Sequence, residues 1–128
     1  MDKPIDLLLI EDHVAEVRLL REMLKQGGFT GFELTHAPRV GVALDHLSRS
    51  SFDLIVMDLS LPDARGYEAF SRVHDKAADV PIVILSGSSD RGLIQQIQDA
   101  GAAAFIDKNE VSCEDLAETL LTALGRRG

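Results

Sequence analysis

The sequence predicts an α/β fold: a doubly wound, five-stranded parallel sheet in the order 2-1-3-4-5, with five helices covering its faces. Three observations point there. Short, continuous apolar runs are spaced along the chain, and segments of helical period separate them. The length of 128 residues suits one domain and is too short for two ordinary ones.

The first run, Asp6-Leu7-Leu8-Leu9-Ile10, reads as a strand buried on both faces. Val14, Val17, Leu20 and Leu24 then recur on one helical face, with Gly27-Gly28 as a stop. Phe32-Glu33-Leu34-Thr35-His36 alternates, as a strand nearer the edge does when one face is wetter. Pro38 suits the first turn of a second helix carrying Val40, Leu44 and Leu47. Leu54-Ile55-Val56-Met57 is the third strand, followed by a helix with Tyr67, Phe70 and Val73 on one side. Ile82-Val83-Ile84-Leu85 is the fourth, and the helix of Leu93, Ile94 and Ile97 stops at Gly101. Ala103-Ala104-Phe105-Ile106 completes the sheet. Ser112-Cys113-Glu114-Asp115 then opens a last helix in the manner of a capping box, with Leu116, Leu120 and Leu124 facing inward. One domain is expected over 1–128, its ordered core spanning residues 5–125 and Arg126-Arg127-Gly128 forming a solvated tail.

Composition excludes several classes. Apolar residues make up 45% and charged ones 27%, the mix of a globular domain with a core. Lys and Arg number 13 against 21 Asp and Glu, a net charge of −8 that argues against direct binding to nucleic acid or an anionic membrane. No apolar run approaches a membrane span and Met-Asp-Lys-Pro lacks the form of a signal peptide, so a cytoplasmic protein is expected. The single cysteine, Cys113, excludes an internal disulfide and a thiolate metal cluster, and reads as inert. His13, His36, His46 and His74 show no ligand spacing and read as solvated or locally bonded.

Polar residues at the strand ends carry the functional signal. Glu11 and Asp12 follow the first run, Asp58 the third, Ser86 the fourth, and Lys108 the fifth, just beyond Asp107. In a parallel sheet these positions share the carboxyl edge, where ligands bind at the reversal of strand order. Crowded carboxylates repel unless their pKa values rise or a cation binds, and a hard divalent ion such as Mg²⁺ (or Mn²⁺) suits oxygen ligands. With a lysine and a hydroxyl beside them, they form a site for a phosphoryl group, one carboxylate serving as nucleophile. Position alone leaves open which one attacks; Asp58 is best placed, being central and without an adjacent acid.

Leu-Ile-Glu11-Asp12, Val-Met-Asp58-Leu-Ser-Leu-Pro62-Asp63, Ile-Leu-Ser86-Gly87 and Phe105-Ile-Asp-Lys108 together resemble the signatures of the response-regulator receiver domain, in order and spacing, over nearly the whole chain. The resemblance implies a flavodoxin-like receiver in which Asp58 accepts a phosphoryl group from a histidine kinase or a histidine phosphotransfer protein. It further implies that Asp12, Asp58 and the Ser60 backbone carbonyl ligate Mg²⁺, that Glu11 acts on the ion through water, and that Lys108 pairs with the phosphoryl oxygens. Ser86 and Phe105 would be the switch residues, and Ser60 and Ser88 would modulate the lifetime of the phosphoryl group. The changed surface, helix 4, strand 5 and helix 5, would select a downstream protein or a second copy.

Two departures stand out. Asn109 follows the lysine where the family commonly has a cis proline, and a cis bond to asparagine would cost about 2.5–4 kcal/mol, so a trans bond is expected. Phe105 replaces the frequent tyrosine and has no hydroxyl.

Plainer readings exist for each residue. Asp12 would cap the first helix, Asp58 and Ser86-Gly87 would be turn residues, Lys108 a solvated charge and Phe105 core packing. As a whole the chain has two readings, a switch that catalyses only its own phosphorylation and dephosphorylation, or a scaffold that keeps the fold without that chemistry. A phosphatase with an aspartyl intermediate would need a covering cap, for which this length leaves no room. Gly87-Ser-Ser-Asp-Arg-Gly92 lacks the Lys-Ser/Thr of a P-loop, and no Gly-x-Gly-x-x-Gly follows a strand.

Overall fold

Alternation along β1 (Ile5–Ile10) divides the apolar residues between two cores. Leu8 and Ile10 point to one face of the sheet and Leu7 and Leu9 to the other, as period-2 geometry requires, and all four are buried. β3 (Leu54–Met57) repeats the pattern beside it, Ile55 and Met57 on the first face, Leu54 and Val56 on the second. The computed structural model describes residues 3–87 and 90–125.

The sheet is parallel and ordered β2-β1-β3-β4-β5, with β2 (Phe32–Ala37), β4 (Ile82–Ser86) and β5 (Ala104–Asp107) completing it. The predicted fold is the observed one. Helices α2 (Val40–Arg49), α3 (Gly66–Lys76) and α4 (Arg91–Asp99) cover the first face through Val40, Ala43, Phe70, Val73 and Ile97. Helices α1 (Val14–Gln26) and α5 (Cys113–Gly125) cover the second through Val17, Leu20, Leu24, Leu116 and Leu120. Each fully buried aliphatic side chain contributes about 1.5–3 kcal/mol relative to exposure, so the two cores rather than local propensity hold the layers together.

Several local expectations are corrected. Val14 and Tyr67, assigned to inward faces, are exposed at 59% and 39%; each stands in the first turn of its helix, whose buried residues come later. Pro38 precedes α2 by two residues instead of occupying its first turn. Helix α1 has His13 at its N-cap with no side-chain cap, so Asp12 is not the capping group. His74 is half-buried and stacks on Phe70, with ring centroids 5.2 Å apart. Ser112 does cap α5, its Oγ accepting the Asp115 N–H at 3.1 Å. Ser88 and the Arg126-Arg127-Gly128 tail lie outside the described residues.

Gly27 is more than a stop. A Cβ there would lie 2.2 Å from the Cys113 carbonyl oxygen, so the end of α1 passes the start of α5 at a distance only glycine allows. No described helix is long and apolar enough to cross a membrane.

Candidate phosphoryl-acceptor site

Glu11, Asp58 and Ser86 are the buried polar residues among those described, none more than 5% exposed. Burying a carboxylate is costly unless it is paired, so two within one small region mark a built site. The parallel register explains their meeting. Ile10 pairs with Met57, so Glu11 and Asp58 leave neighbouring strand ends together, and Ser86 pairs with Asp107, one residue before Lys108. The Asp58 N–H donates to the Ile10 carbonyl at 3.0 Å and the Lys108 N–H to the Ser86 carbonyl at 3.1 Å.

The two carboxylate oxygens of Asp58 have different surroundings. Oδ1 accepts the N–H of Leu59 at 2.7 Å and of Ser60 at 3.4 Å, while Oδ2 faces Lys108 Nζ at 3.4 Å. Glu11 turns Oε1 toward the same ammonium at 3.5 Å, and its Oε2 accepts the His13 N–H at 3.1 Å. Burial pushes the Glu11 carboxyl above its ordinary value, with the charge of Asp58 and a contact with Glu16 adding to the rise. Lys108 is raised as well: burial opposes its charge, but the hydrogen bond to Glu16 and the charges of Asp58 and Glu11 outweigh that.

Asp12 stands at the rim, half-buried, and its Oδ1 is shielded from solvent yet accepts no hydrogen bond. His13 Nδ1 lies 3.2 Å from both Glu11 Oε2 and Asp12 Oδ1 and 3.4 Å from Glu16 Oε2, so its pKa is raised, first by the Glu11 contact and then by the charge of Asp12. Expected to be solvated or locally bonded, this histidine leans on three carboxylates. His36, given the same reading, reaches across 25 residues from β2, its Nε2 donating to the Glu11 backbone carbonyl at 2.5 Å.

A cleft of about 510 Å³ opens between these groups, lined by His13, Ala15, Glu16, Asp58, Ser60, Ser86, Gly87 and Lys108. Ser60 is exposed at its mouth, and Ser86 sits at the end of β4. Phe105 does not line it; it packs half-buried on β5 against the first core. The Lys108–Asn109 bond is trans, as expected, and the Asn109 N–H donates to Asp107 Oδ1 at 2.9 Å, closing a turn that proline has no donor to make.

Asp63 fixes the far end of the loop that starts at Asp58. Its Oδ1 accepts the Val40 N–H at 2.9 Å and its Oδ2 the Gly41 N–H at 2.8 Å, satisfying free donors at the start of α2. Burial opposes ionisation there, but these two N–H bonds win and hold the carboxyl below its ordinary value. A depressed carboxyl contributes stability that is present above its unfolded pKa, near 3.8, and is lost as pH falls through the folded value. Asp63→Ala should therefore lower unfolding stability by about 1 kcal/mol at pH 7, with a deficit that shrinks as the buffer is acidified below the ordinary aspartate range. Urea midpoints at neutral and acid pH check this; an equal deficit at both would sink it.

The response regulator receiver domain model matches residues 7–121 of this chain. The chain belongs to the receiver family. Receiver domains of this family are parts of two-component response regulators. Among similar proteins, the transcriptional regulatory protein PdtaR of Mycobacterium tuberculosis is 32% identical over 123 residues, covering 96% of this receiver and 58% of PdtaR. The receiver thus spans less than two thirds of that relative's length. The polar-differentiation response regulator DivK of Brucella anthropi is 27% identical over 125 residues, covering 95% of this receiver and 98% of DivK. A CheY-like receiver from Methanospirillum hungatei JF-1 superposes with a TM-score of 0.85 at 25% identity, covering 97% of this chain and 96% of that one. The receiver of sensor histidine kinase PA1611 from Pseudomonas aeruginosa PAO1, crystallised with magnesium coordinated in its active-site cleft, matches with a TM-score of 0.79 at 24% identity over 95% of this chain and 98% of its own.

Of the residues singled out from sequence, Glu11, Asp58, Ser86 and Lys108 converge in this receiver, with Asp12 and Ser60 at the rim. Sequence reasoning missed Glu16. Four residues after Asp12, it lies in the first turn of α1, a spacing that carries signal only once the cleft is known to lie there.

Proposed function

We propose that this receiver is a switch whose Asp58 takes a phosphoryl group from a phosphohistidine of a histidine kinase or a histidine phosphotransfer protein. The observation that carries the reading is Asp58 Oδ2, buried with its carboxylate and facing Lys108 Nζ at 3.4 Å across an open cleft. Oδ1 is held by two backbone N–H groups, which leaves Oδ2 as the attacking oxygen. It forms a P–O bond as the P–N bond to imidazole breaks, the electron pair leaving with the ring nitrogen. Lys108 supplies fixed positive charge to the phosphoryl oxygens as the transfer proceeds. Ser86, buried at the adjacent strand end, donates its hydroxyl to the product, and hydrolysis by water later returns the carboxylate.

The donor set fits Mg²⁺. The carboxylates of Glu11, Asp12 and Asp58 offer oxygen donors, with His13 Nδ1 beside the first two, and the shielded Asp12 Oδ1 accepts no hydrogen bond, the kind of oxygen a hard cation takes up. Asp12, Asp58 and the Ser60 carbonyl would hold the ion, with Glu11 reaching it through water. The ion supplies charge neutralisation for the entering phosphoryl group.

In this reading Ser86 and Phe105 carry the change to the face of α4, β5 and α5, where a downstream protein or a second copy docks. Ser60, exposed at the mouth, and the small Ser88 leave water access open and set a short phosphoryl lifetime. The domain covers 1–128 and acts in the cytoplasm without binding nucleic acid itself.

Intact-protein mass after acetyl phosphate treatment tests the reading. One added phosphoryl group is expected, dependent on Mg²⁺ and absent from Asp58→Asn. No adduct under any of these conditions would leave the chain as a scaffold with the receiver fold.

A further inference from the structure

The shortest contacts to Lys108 come from outside the strand-end signatures. Glu16 Oε1 lies 3.0 Å and Oε2 3.1 Å from Nζ, whereas Asp58 Oδ2 is at 3.4 Å and Glu11 Oε1 at 3.5 Å. The ammonium therefore sits among three carboxylates and leans toward the one on α1. Among the described residues, His13 Nδ1, 3.4 Å from Glu16 Oε2, also faces Glu16 and pairs with it when protonated. Burial opposes ionisation of Glu16, yet the hydrogen bond from Lys108, with Glu11 and the lysine charge behind it, keeps its carboxyl below the usual range. Glu16 is present as the charged partner across neutral pH.

We propose that Glu16 is a positioning residue that competes with Asp58 for Lys108, draws the ammonium toward α1 and so slows uptake of the phosphoryl group. The inference rests on the reading of Asp58 as the phosphoacceptor. A phosphodonor brings at least two negative oxygens to Asp58, and Lys108 stabilises them only by exchanging its Glu16 contacts for new ones. The cost of that exchange is charged to the transition state, because the phosphoryl oxygens draw the ammonium only as they arrive. Partial exposure keeps the hold moderate: the Glu16 side chain is 38% exposed and that of Lys108 23%, so water screens the pair and lets it open. Glu16 acts as a brake and does not block the site.

The bonds balance when acetyl phosphate is the donor. An Asp58 oxygen forms the new P–O bond, the bridging P–O bond of acetyl phosphate breaks, and acetate leaves with the electron pair. Glu16 exchanges no atoms. Its influence is electrostatic and passes through Lys108, which is what separates this role from simple packing.

The test compares the parent protein, Glu16→Gln, Lys108→Met and the double variant. Phosphorylation rate by acetyl phosphate is read by intact mass at saturating Mg²⁺, and Mg²⁺ affinity is read by calorimetry without any phosphodonor. Glu16→Gln is expected to phosphorylate about fivefold faster, the scale of a partly exposed ion pair. In the Lys108→Met background the same substitution should change the rate little. Calorimetry should show Mg²⁺ binding weakened by Glu16→Gln more in the parent than in Lys108→Met, since a released lysine falls back on Asp58 and Glu11. A rate unchanged or slowed in Glu16→Gln overturns the inference, as does an equal acceleration in both backgrounds, which would mean plain repulsion of the donor. If the parent takes up no phosphoryl group at all, the reading of Asp58 fails separately; calorimetry then still decides whether Glu16 holds Lys108, and equal weakening in both backgrounds overturns that.

Discussion

Lys108→Met is expected to unfold about 2 kcal/mol more easily than the parent at pH 7 without divalent ions, and to recover as the pH falls. Methionine keeps the length of the side chain and removes the charge. Glu11, Glu16 and Asp58 then face one another with ligand oxygens within 4.8 Å and no cation between them. Breaking a fully buried pair costs about 3–5 kcal/mol; the 23% exposure of the Lys108 side chain and the wetter Glu16 reduce that here. The pH dependence has a definite sign. Glu11 already has a folded pKa above its unfolded value near 4.5, and the lysine charge is one of the effects holding it down. Without Lys108 it rises further. A carboxyl raised in the folded state binds more protons there than in the unfolded chain, so stability falls as pH climbs from the ordinary glutamate range through the folded value. The deficit should be largest at neutral pH and shrink on acidification, and millimolar Mg²⁺ should also restore part of it. Urea midpoints across pH, with and without Mg²⁺, check this. A deficit that ignores both would mean that Lys108 stabilises by packing alone.

Gly27→Ala is the second large effect. The added methyl would stand 2.2 Å from the Cys113 carbonyl oxygen and 2.8 Å from its carbon, both backbone atoms that no rotamer change removes. Overpacking of this kind costs about 1–3 kcal/mol and more where backbone must shift. The strain falls on the seam between α1 and α5, so it should appear locally as well as globally. Cys113, half-buried with Sγ 3.8 Å from Gln26 Oε1, is the natural reporter. Its labelling by a thiol reagent should accelerate as the urea midpoint falls. An unchanged midpoint with unchanged labelling would show that the helices part at no cost.

How much of this was legible in the chain depends on the range of the interaction. Leu54-Ile55-Val56-Met57 is continuous and apolar because both faces of β3 are covered, and such a run states its burial without help from elsewhere. The same holds for Glu11, Asp58, Ser86 and Lys108, each placed by the strand it terminates. Glu16 has no such marker. It lies on the half-buried flank of α1, and its partner is 92 residues away, so only the assembled sheet brings them together. His36 was unreadable for the same reason: nothing around it in β2 announces the Glu11 carbonyl. Val14 failed differently, since helical period identifies a face but not how far along the helix the core extends.

The ion pair between Glu11 and Lys108 joins residues 97 positions apart, the first from the end of β1 and the second from just beyond β5. The acceptor pocket therefore exists only after the last strand has docked. A nascent chain halted before β5 carries Glu11, Asp12 and Asp58 but not the cation among them, and a partly unfolded molecule returns to that condition. An assembled pocket is thus a certificate of completed folding. A chain in the course of synthesis, or one being taken apart by a protease, lacks the paired carboxylates and lysine together.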